Sequence, residues 1–165
     1  MATARLATGE VLRHVADATG VGPNMCLHEP LAHYSPRTAR LLDWIHEVGV
    51  TSPTDLPSVD LVHGDFHPDN VLVDESGTVT GLVDWDEVSR GDGRYDLVNL
   101  RFELGWRDPL LGHWLDGQLR EIVSAELLRA CWAHVSLRVV DFAIRHRTAA
   151  DVAVWLEVAE LHAFA

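Results

Sequence analysis

The chain contains no lysine. All 13 of its basic residues are arginines, so any mechanism that needs a lysine must borrow it from elsewhere. Cysteine is almost as scarce. Cys26 and Cys131 lie far apart and neither has CxxC spacing, which rules out a zinc ribbon. The count allows one disulfide, but two buried free thiols are expected in a cytoplasmic chain. No 18-residue apolar run lacks charges, so no transmembrane helix is expected. The first residues, MATARLATGEVLRH, carry no secretion signal, and a cytoplasmic protein is expected. Positive charge is also short. Against 25 acidic residues the arginines leave a net charge of −12. That charge repels a phosphate backbone and disfavours nucleic acid. A cationic partner is easier to accommodate, although an acidic surface that keeps the protein soluble is the plainer reading.

What the chain does have is enough material for one domain. It has 165 residues, 47% of them apolar and 23% charged, a balance that supports a core and argues against disorder. Residues 3 to 19 carry Leu6, Val11, Leu12 and Val15 at helical spacing, with Gly20 and Gly22 behind them. Residues 21 to 34, with two prolines, read as a connection. Residues 36 to 48 form the clearest helix. Ser35 is a good N-cap, Pro36 suits the first position, and Leu41, Leu42, Ile45 and Val48 make a stripe. Gly49 is the expected stop, and TSPTDLPS a loop.

The segment VLVDESGTVTGLVDWD predicts a β-hairpin. Val71–Val73 and residues 79–83 are its strands, and residues 74–77 its turn. Helices return from Tyr95 to Leu104, with DPLLGHW as a connection. A long apolar segment over 120–147 reads as central and buried. Arg129, Arg138, Asp141 and Arg145 within it argue against a membrane span. Asp151 is placed to cap a last helix carrying Val152, Trp155, Val158 and Leu161. The order predicts a mainly α domain with a minor β element.

Between the first helices and the hairpin stands LVHGDFHPDN, residues 61–70. It is too polar for a buried strand and too interrupted for a helix. Asp65 and Asn70 have the spacing D-x-x-x-x-N, that of the protein-kinase catalytic loop. Asp84 follows at the end of the hairpin, in the place of the kinase metal-binding aspartate. Phosphoryl transfer needs a carboxylate to orient a hydroxyl and accept its proton, and oxygen ligands for magnesium. A metal cluster of His63, Asp65 and His67 is the competing reading. Pro68 interrupts it, no downstream Cys or His completes it, and it leaves Asn70 and Asp84 unexplained.

HGDFHPDN, then VDWD, then GDGRYDL together resemble the aminoglycoside phosphotransferase and choline kinase family. These are small-molecule kinases with a protein-kinase-like fold. The resemblance covers residues 35 to 104 well, and the flanking helices fit the same lobe. It implies a C-terminal kinase-like lobe, mainly α with a small β-hairpin, as one domain over 1–165. Within it the catalytic loop would span 61–73, the metal-site hairpin 71–86 and the helical acceptor region 95–165.

Carried over, Asp65 is the catalytic base, and Asn70 and Asp84 are magnesium ligands. His63 supports the aspartate, Asp92 shapes the segment after the metal aspartate, and Asp96 braces the loop. Asp86 and His67 are weaker candidates, with His67 expected to pack the loop. Asp69 is expected to be solvated and Trp85 to be core. The co-substrate would be ATP or GTP with Mg2+, and the acceptor a small-molecule hydroxyl compound, which the family draws from antibiotics, choline, sugars and amino-acid derivatives. Glu103, Asp108 and Asp116 could favour a cationic acceptor, although solvated helix faces explain them better.

A complete kinase of this class also has an N-terminal strand-rich lobe with a glycine-rich loop and a lysine. The 60 residues before the motif read as helices and loops without lysine, and GVGPN lacks the strand context of a phosphate loop. The expectation is a truncated or split kinase, its nucleotide lobe absent or supplied by a separate chain or by a homo-oligomer. The alternative is a non-catalytic binding or accessory module derived from the lobe.

Overall fold

The computed structural model describes residues 28–52 and 60–163. The expected helix over 3–19, Cys26 and most of the TSPTDLPS loop lie outside them. In chain order the elements are α1 (His28–Tyr34), α2 (Pro36–Thr51), β1 (Asp60–Val62), a 3-10 turn (Pro68–Asn70), β2 (Val71–Val73), β3 (Val79–Leu82), β4 (Ser89–Gly91), α3 (Arg94–Arg107), α4 (Pro109–Ile122), α5 (Ala125–His146) and α6 (Ala149–Ala163).

Ser35 caps α2 as its sequence suggests. Its hydroxyl accepts from the Thr38 amide, and Thr38 Oγ1 accepts from the Ser35 amide, a reciprocal capping box. The helix does not stop at Gly49, which is buried inside it, but runs on to Thr51. Residues 28–34, expected to be part of a connection, form α1. Pro30 sits in its first turn, where no intrahelical N–H bond is needed.

A second departure concerns DPLLGHW. It is no connection but the start of α4. Asp108 is the N-cap, accepting from the Leu110 and Leu111 amides, and Pro109 takes the first helical position. The apolar stretch over 120–147 accordingly divides at residues 123–124. Ser124 caps α5 through the Leu127 amide. At the last helix, Thr148 and Asp151 exchange side-chain bonds to each other's amides. Asp151 is therefore the inner partner of a capping box whose outer partner is Thr148.

α5 is the central element, about 33 Å long at about 1.5 Å per residue. It packs against α1, α2, α3 and α6, while α4 packs on α3. Trp132, Leu137, Val140 and Ala143 of α5 are buried with Leu41, Ile45 and Val48 of α2, Val98 and Phe102 of α3, and Leu156 of α6. Each buried Leu, Val, Ile or Phe contributes about 1.5–3 kcal/mol. The Cys131 thiol is free and buried in this core.

The strands form two separate antiparallel pairs. β2 pairs with β3, with a bulge between Leu72 and Val73, as the hairpin pattern predicts. β1 pairs with β4, Val62 opposite Ser89 and Asp60 opposite Gly91. This second pair was not expected, because three-residue strands 26 residues apart leave no periodic signature. It positions the site, since it brings the start of the motif loop beside the segment that follows the hairpin. Among the described residues, no helix is long and apolar enough to cross a membrane.

Candidate active site

The loop that begins at His63 is tied down from its backbone. The Asp96 carboxylate, in the first turn of α3, accepts from the His63 amide at 2.8 Å and the Gly64 amide at 3.0 Å. Gly64 has φ +86, and a Cβ there would lie 2.6 Å from the Glu87 carbonyl oxygen, so only glycine fits. The His63 ring is buried. Its Nε2 lies 2.9 Å from the Val83 carbonyl and its face lies against Trp85, with ring centroids 4.6 Å apart. His63 is thereby committed to packing. Among the described residues, no group of three or more His, Cys, Asp or Glu could hold a metal ion.

Asn70 closes the loop. Its amide nitrogen donates to the Asp65 carbonyl at 2.9 Å and lies 3.2 Å from His67 Nε2. That fixes the amide orientation and leaves Oδ1 as the available acceptor. The Asn70 carbonyl accepts from the Val83 amide at 3.0 Å, extending the β2–β3 pairing by one residue. Asp84 is the next residue along, in the left-handed region at φ 62 and exposed. Asp65 stands at the loop's open side, its side chain 40% exposed and 3.5 Å from His67 Nε2. It is accessible to a substrate and fixed in its backbone.

Three expectations change here. Asp69 is exposed but not simply solvated. Arg107 clasps it bidentately, one oxygen at 2.8 Å, and the guanidinium holds its carboxyl below the usual range. Trp85 is not core. It is 40% exposed, its indole N–H donating to the Leu82 carbonyl. Asp108 and Asp116, expected as solvated helix faces, are both engaged. Asp108 caps α4, and Asp116 forms a nearly buried bidentate pair with Arg101 at 2.7 and 2.8 Å.

Asp92 is buried and accepts from the backbone and guanidinium of Arg94, which keeps its carboxyl below the usual range. Arg94 in turn reaches the Ile122 carbonyl at 3.1 Å. Asp86 lies exposed between the hairpin and β4.

One face of α3 was legible in the sequence yet overlooked. Residues 96, 99, 103 and 107 fall on one side of a helix. Asp96 holds the loop's start, Asn99 reaches the Phe66 carbonyl at 3.4 Å, and Arg107 holds Asp69. Glu103 lies between them, partly buried. Burial, and after it the charges of Asp65 and Asp69, push its carboxyl up to about 7, against the pull of Arg107 and Trp106. A second overlooked group is Arg138 of α5, whose Nη1 donates to the Gly64 carbonyl at 2.6 Å and to the Tyr95 hydroxyl at 3.0 Å.

The arrangement defines a class: a helical lobe carrying two short strand pairs, with a D-x-x-x-x-N loop braced on one helix and an aspartate at the hairpin's end. This is the C-terminal lobe of a protein-kinase-like fold. The family model described as the phosphotransferase enzyme family, APH, matches residues 25–131, more than half of the chain, and the chain belongs to that family.

It is similar to the hygromycin-B 4-O-kinase of Escherichia coli, 43% identical over 53 residues, which cover 32% of this chain and 15% of that one. It is also similar to the viomycin phosphotransferase of Streptomyces vinaceus, 40% identical over 72 residues, 39% of this chain and 25% of that one. A crystal structure of a thermostable mutant of the aminoglycoside phosphotransferase APH(4)-Ia, in ternary complex with ADP and hygromycin B, superposes with a TM-score of 0.70 at 22% identity. The match covers 98% of this chain and 52% of that one. The chain thus spans about half the length of the solved structure it matches.

Proposed function

We propose that this lobe carries the acceptor and metal half of an ATP-dependent phosphotransferase acting on a small-molecule hydroxyl. The observation that carries the reading is the closed Asp65–Asn70 loop, with Asn70 tied by its backbone to the residue before Asp84. In this reading 61–73 is the catalytic loop, 71–86 the metal-site hairpin and 95–165 the acceptor region.

Asp65 accepts a hydrogen bond from the acceptor hydroxyl and takes its proton. The acceptor oxygen bonds to the γ-phosphorus as the bond to the bridging oxygen breaks, and ADP leaves. The metal donors fit. Asn70 Oδ1 and the Asp84 carboxylate are hard oxygens, and they would hold magnesium as its two protein ligands. When bound there, magnesium supplies charge neutralisation to the phosphates. His63, Asp92 and Asp96 position the loop and the segment after the hairpin.

ADP and hygromycin B in the related structure support a nucleotide and a small hydroxyl compound as ligands. Large apolar side chains are exposed on and beside the hairpins, among them Leu61, Leu72, Val73, Val79, Leu82 and Val83. They support a second, nucleotide-binding lobe over this surface.

The test measures label transfer from γ-labelled ATP with Mg2+ to hygromycin B, alongside a thermal-shift series with Mg-ATP. Transfer that disappears in Asp65→Ala, and metal-dependent nucleotide binding that weakens in Asp84→Asn, are expected. No transfer and no nucleotide shift at high protein concentration would favour the non-catalytic module, and an Asp65→Ala variant equal to wild type would remove the base assignment.

A further inference from the structure

Gly64, the residue before Asp65, has both its backbone polar groups held by charged side chains from two different helices. Its amide donates to Asp96 of α3, and its carbonyl accepts from Arg138 of α5. The peptide that joins Gly64 to Asp65 carries that carbonyl. Asp65's own carbonyl is held by Asn70. The two peptides flanking Asp65 are therefore each fixed by one side-chain donor, and the upstream donor comes from 74 residues away.

The donor is itself fixed. Arginine can only donate, so the Tyr95 oxygen accepts from Arg138 Nη1, and the same hydroxyl lies 3.0 Å from His134 Nδ1. The Tyr95 hydroxyl donates to Nδ1 when a neutral His134 carries its proton on Nε2. Burial, and after it the charge of Arg138, hold His134 at about 3, while burial pushes the Tyr95 phenol up to about 12. Neither group titrates near neutrality, so both stay uncharged beside Arg138. His134 and Arg138 are one helical turn apart on α5, and Tyr95 opens α3 beside Asp96. The chain thus spans the helices that hold the loop from behind.

We infer that Arg138, aimed by Tyr95 and His134, is a positioning residue for the phosphoryl transfer: it locks the Gly64–Asp65 peptide so that the Asp65 carboxylate keeps one geometry against the acceptor hydroxyl. The inference rests on the proposed function for its catalytic consequence and on the loop alone for its structural one. A bond of 2.6 Å from a guanidinium is charge-assisted and stronger than a neutral one. Small displacements of a reacting group are costly in rate. The effect should fall on kcat, because Arg138 is engaged with the Gly64 carbonyl and the Tyr95 hydroxyl and acts on Asp65 through the backbone.

The test compares Arg138→Met, Arg138→Lys and Tyr95→Phe with wild type in the full chain. Backbone amide resonances of residues 65–70 report loop order, thermal unfolding reports folding, and label transfer from Mg-ATP to hygromycin B gives kcat and KM. Expected is a folded Arg138→Met protein with exchange-broadened amides at Asp65 and Phe66. Its kcat should fall about 10–100-fold with KM within about twofold. Arg138→Lys should recover part of both losses, and Tyr95→Phe should show a smaller effect of the same kind.

Loop resonances unchanged in folded Arg138→Met overturn the inference, as does a kcat loss that Arg138→Lys does not lessen. Should Arg138→Met not fold, Tyr95→Phe and Arg138→Lys carry the comparison, and wild-type loop spectra in both overturn it. A wild-type protein that neither transfers phosphate nor shifts with Mg-ATP counts against the proposed function instead, and the loop spectra still decide whether Arg138 holds the peptide.

Discussion

Replacing Glu103 by glutamine should stabilise the protein, but only at high pH. The carboxyl is raised from its usual 4.5 to about 7, first by burial and then by the charges of Asp65 and Asp69, with Arg107 and Trp106 opposing them. A folded-state value above the unfolded one means that the folded state holds more protons between the two. Stability therefore falls as pH rises through the window from 4.5 to about 7.

Below the window the side chain is neutral in both states and resembles glutamine. Above it the folded protein carries the full cost of an ionised Glu103. At about 1.4 kcal/mol per pH unit the ceiling is about 3 kcal/mol, and partial solvent access brings it to the order of 1–2 kcal/mol. For a chain of this size that is about 3–6 °C in Tm.

Urea and thermal denaturation of wild type and Glu103→Gln at pH 4.5 and pH 8.5 give the double difference. His134 titrates in an overlapping range but is common to both proteins and cancels. The variant should match wild type at pH 4.5 and exceed it at pH 8.5. An equal difference at both values, or a less stable variant at pH 8.5, would refute the argument that the loop carboxylates and burial strain this group.

Other outcomes follow from the same geometry. Asp96→Asn should cost about 1–3 kcal/mol, because the His63 and Gly64 amides bind different carboxylate oxygens and asparagine puts an NH2 in place of one of them; denaturation at pH 7 checks it, and a neutral change would mean that the loop finds other acceptors. Gly64→Ala should destabilise by roughly 1–3 kcal/mol, since the Cβ would meet the Glu87 carbonyl and φ is positive; the same measurement applies. His134 has a folded value of about 3 against the usual 6.5, so the unfolded state binds the proton first. Stability should fall as pH drops from 6.5 toward 3, and a His134→Phe variant should show a shallower acid limb in pH-dependent unfolding.

The closed Asp65–Asn70 loop was legible in the sequence because its information is local. D-x-x-x-x-N is a spacing within one loop, and Asn70 reaches back to Asp65 across that same loop. Ser35 and Pro36 announce α2 for the same reason: a cap acts within one turn. The hairpin after the loop was likewise written in β-branched runs around a turn. Where local signals compete, the fold decides between them. Proline in DPLLGHW suggested a break, yet beside the Asp108 cap it marks a helix start. Gly49 suggested a stop, yet it is itself buried inside α2, which runs on to Thr51.

What only the tertiary structure decided is which distant groups converge on the loop. Arg138 sits in a helix that is apolar nearly all round, and its sequence neighbours say nothing of Gly64. Its partner is chosen by the packing of α5 behind α3, and by a three-dimensional path from His134 through Tyr95. The β1–β4 pair and the committed fates of Asp108 and Asp116 belong to the same class. A side chain's reach is a few ångströms, so the sequence fixes its partner only when the chain between them is short. Asp65, Asn70 and Asp84 were given by the chain itself, while the brace that holds Asp65 was made by folding.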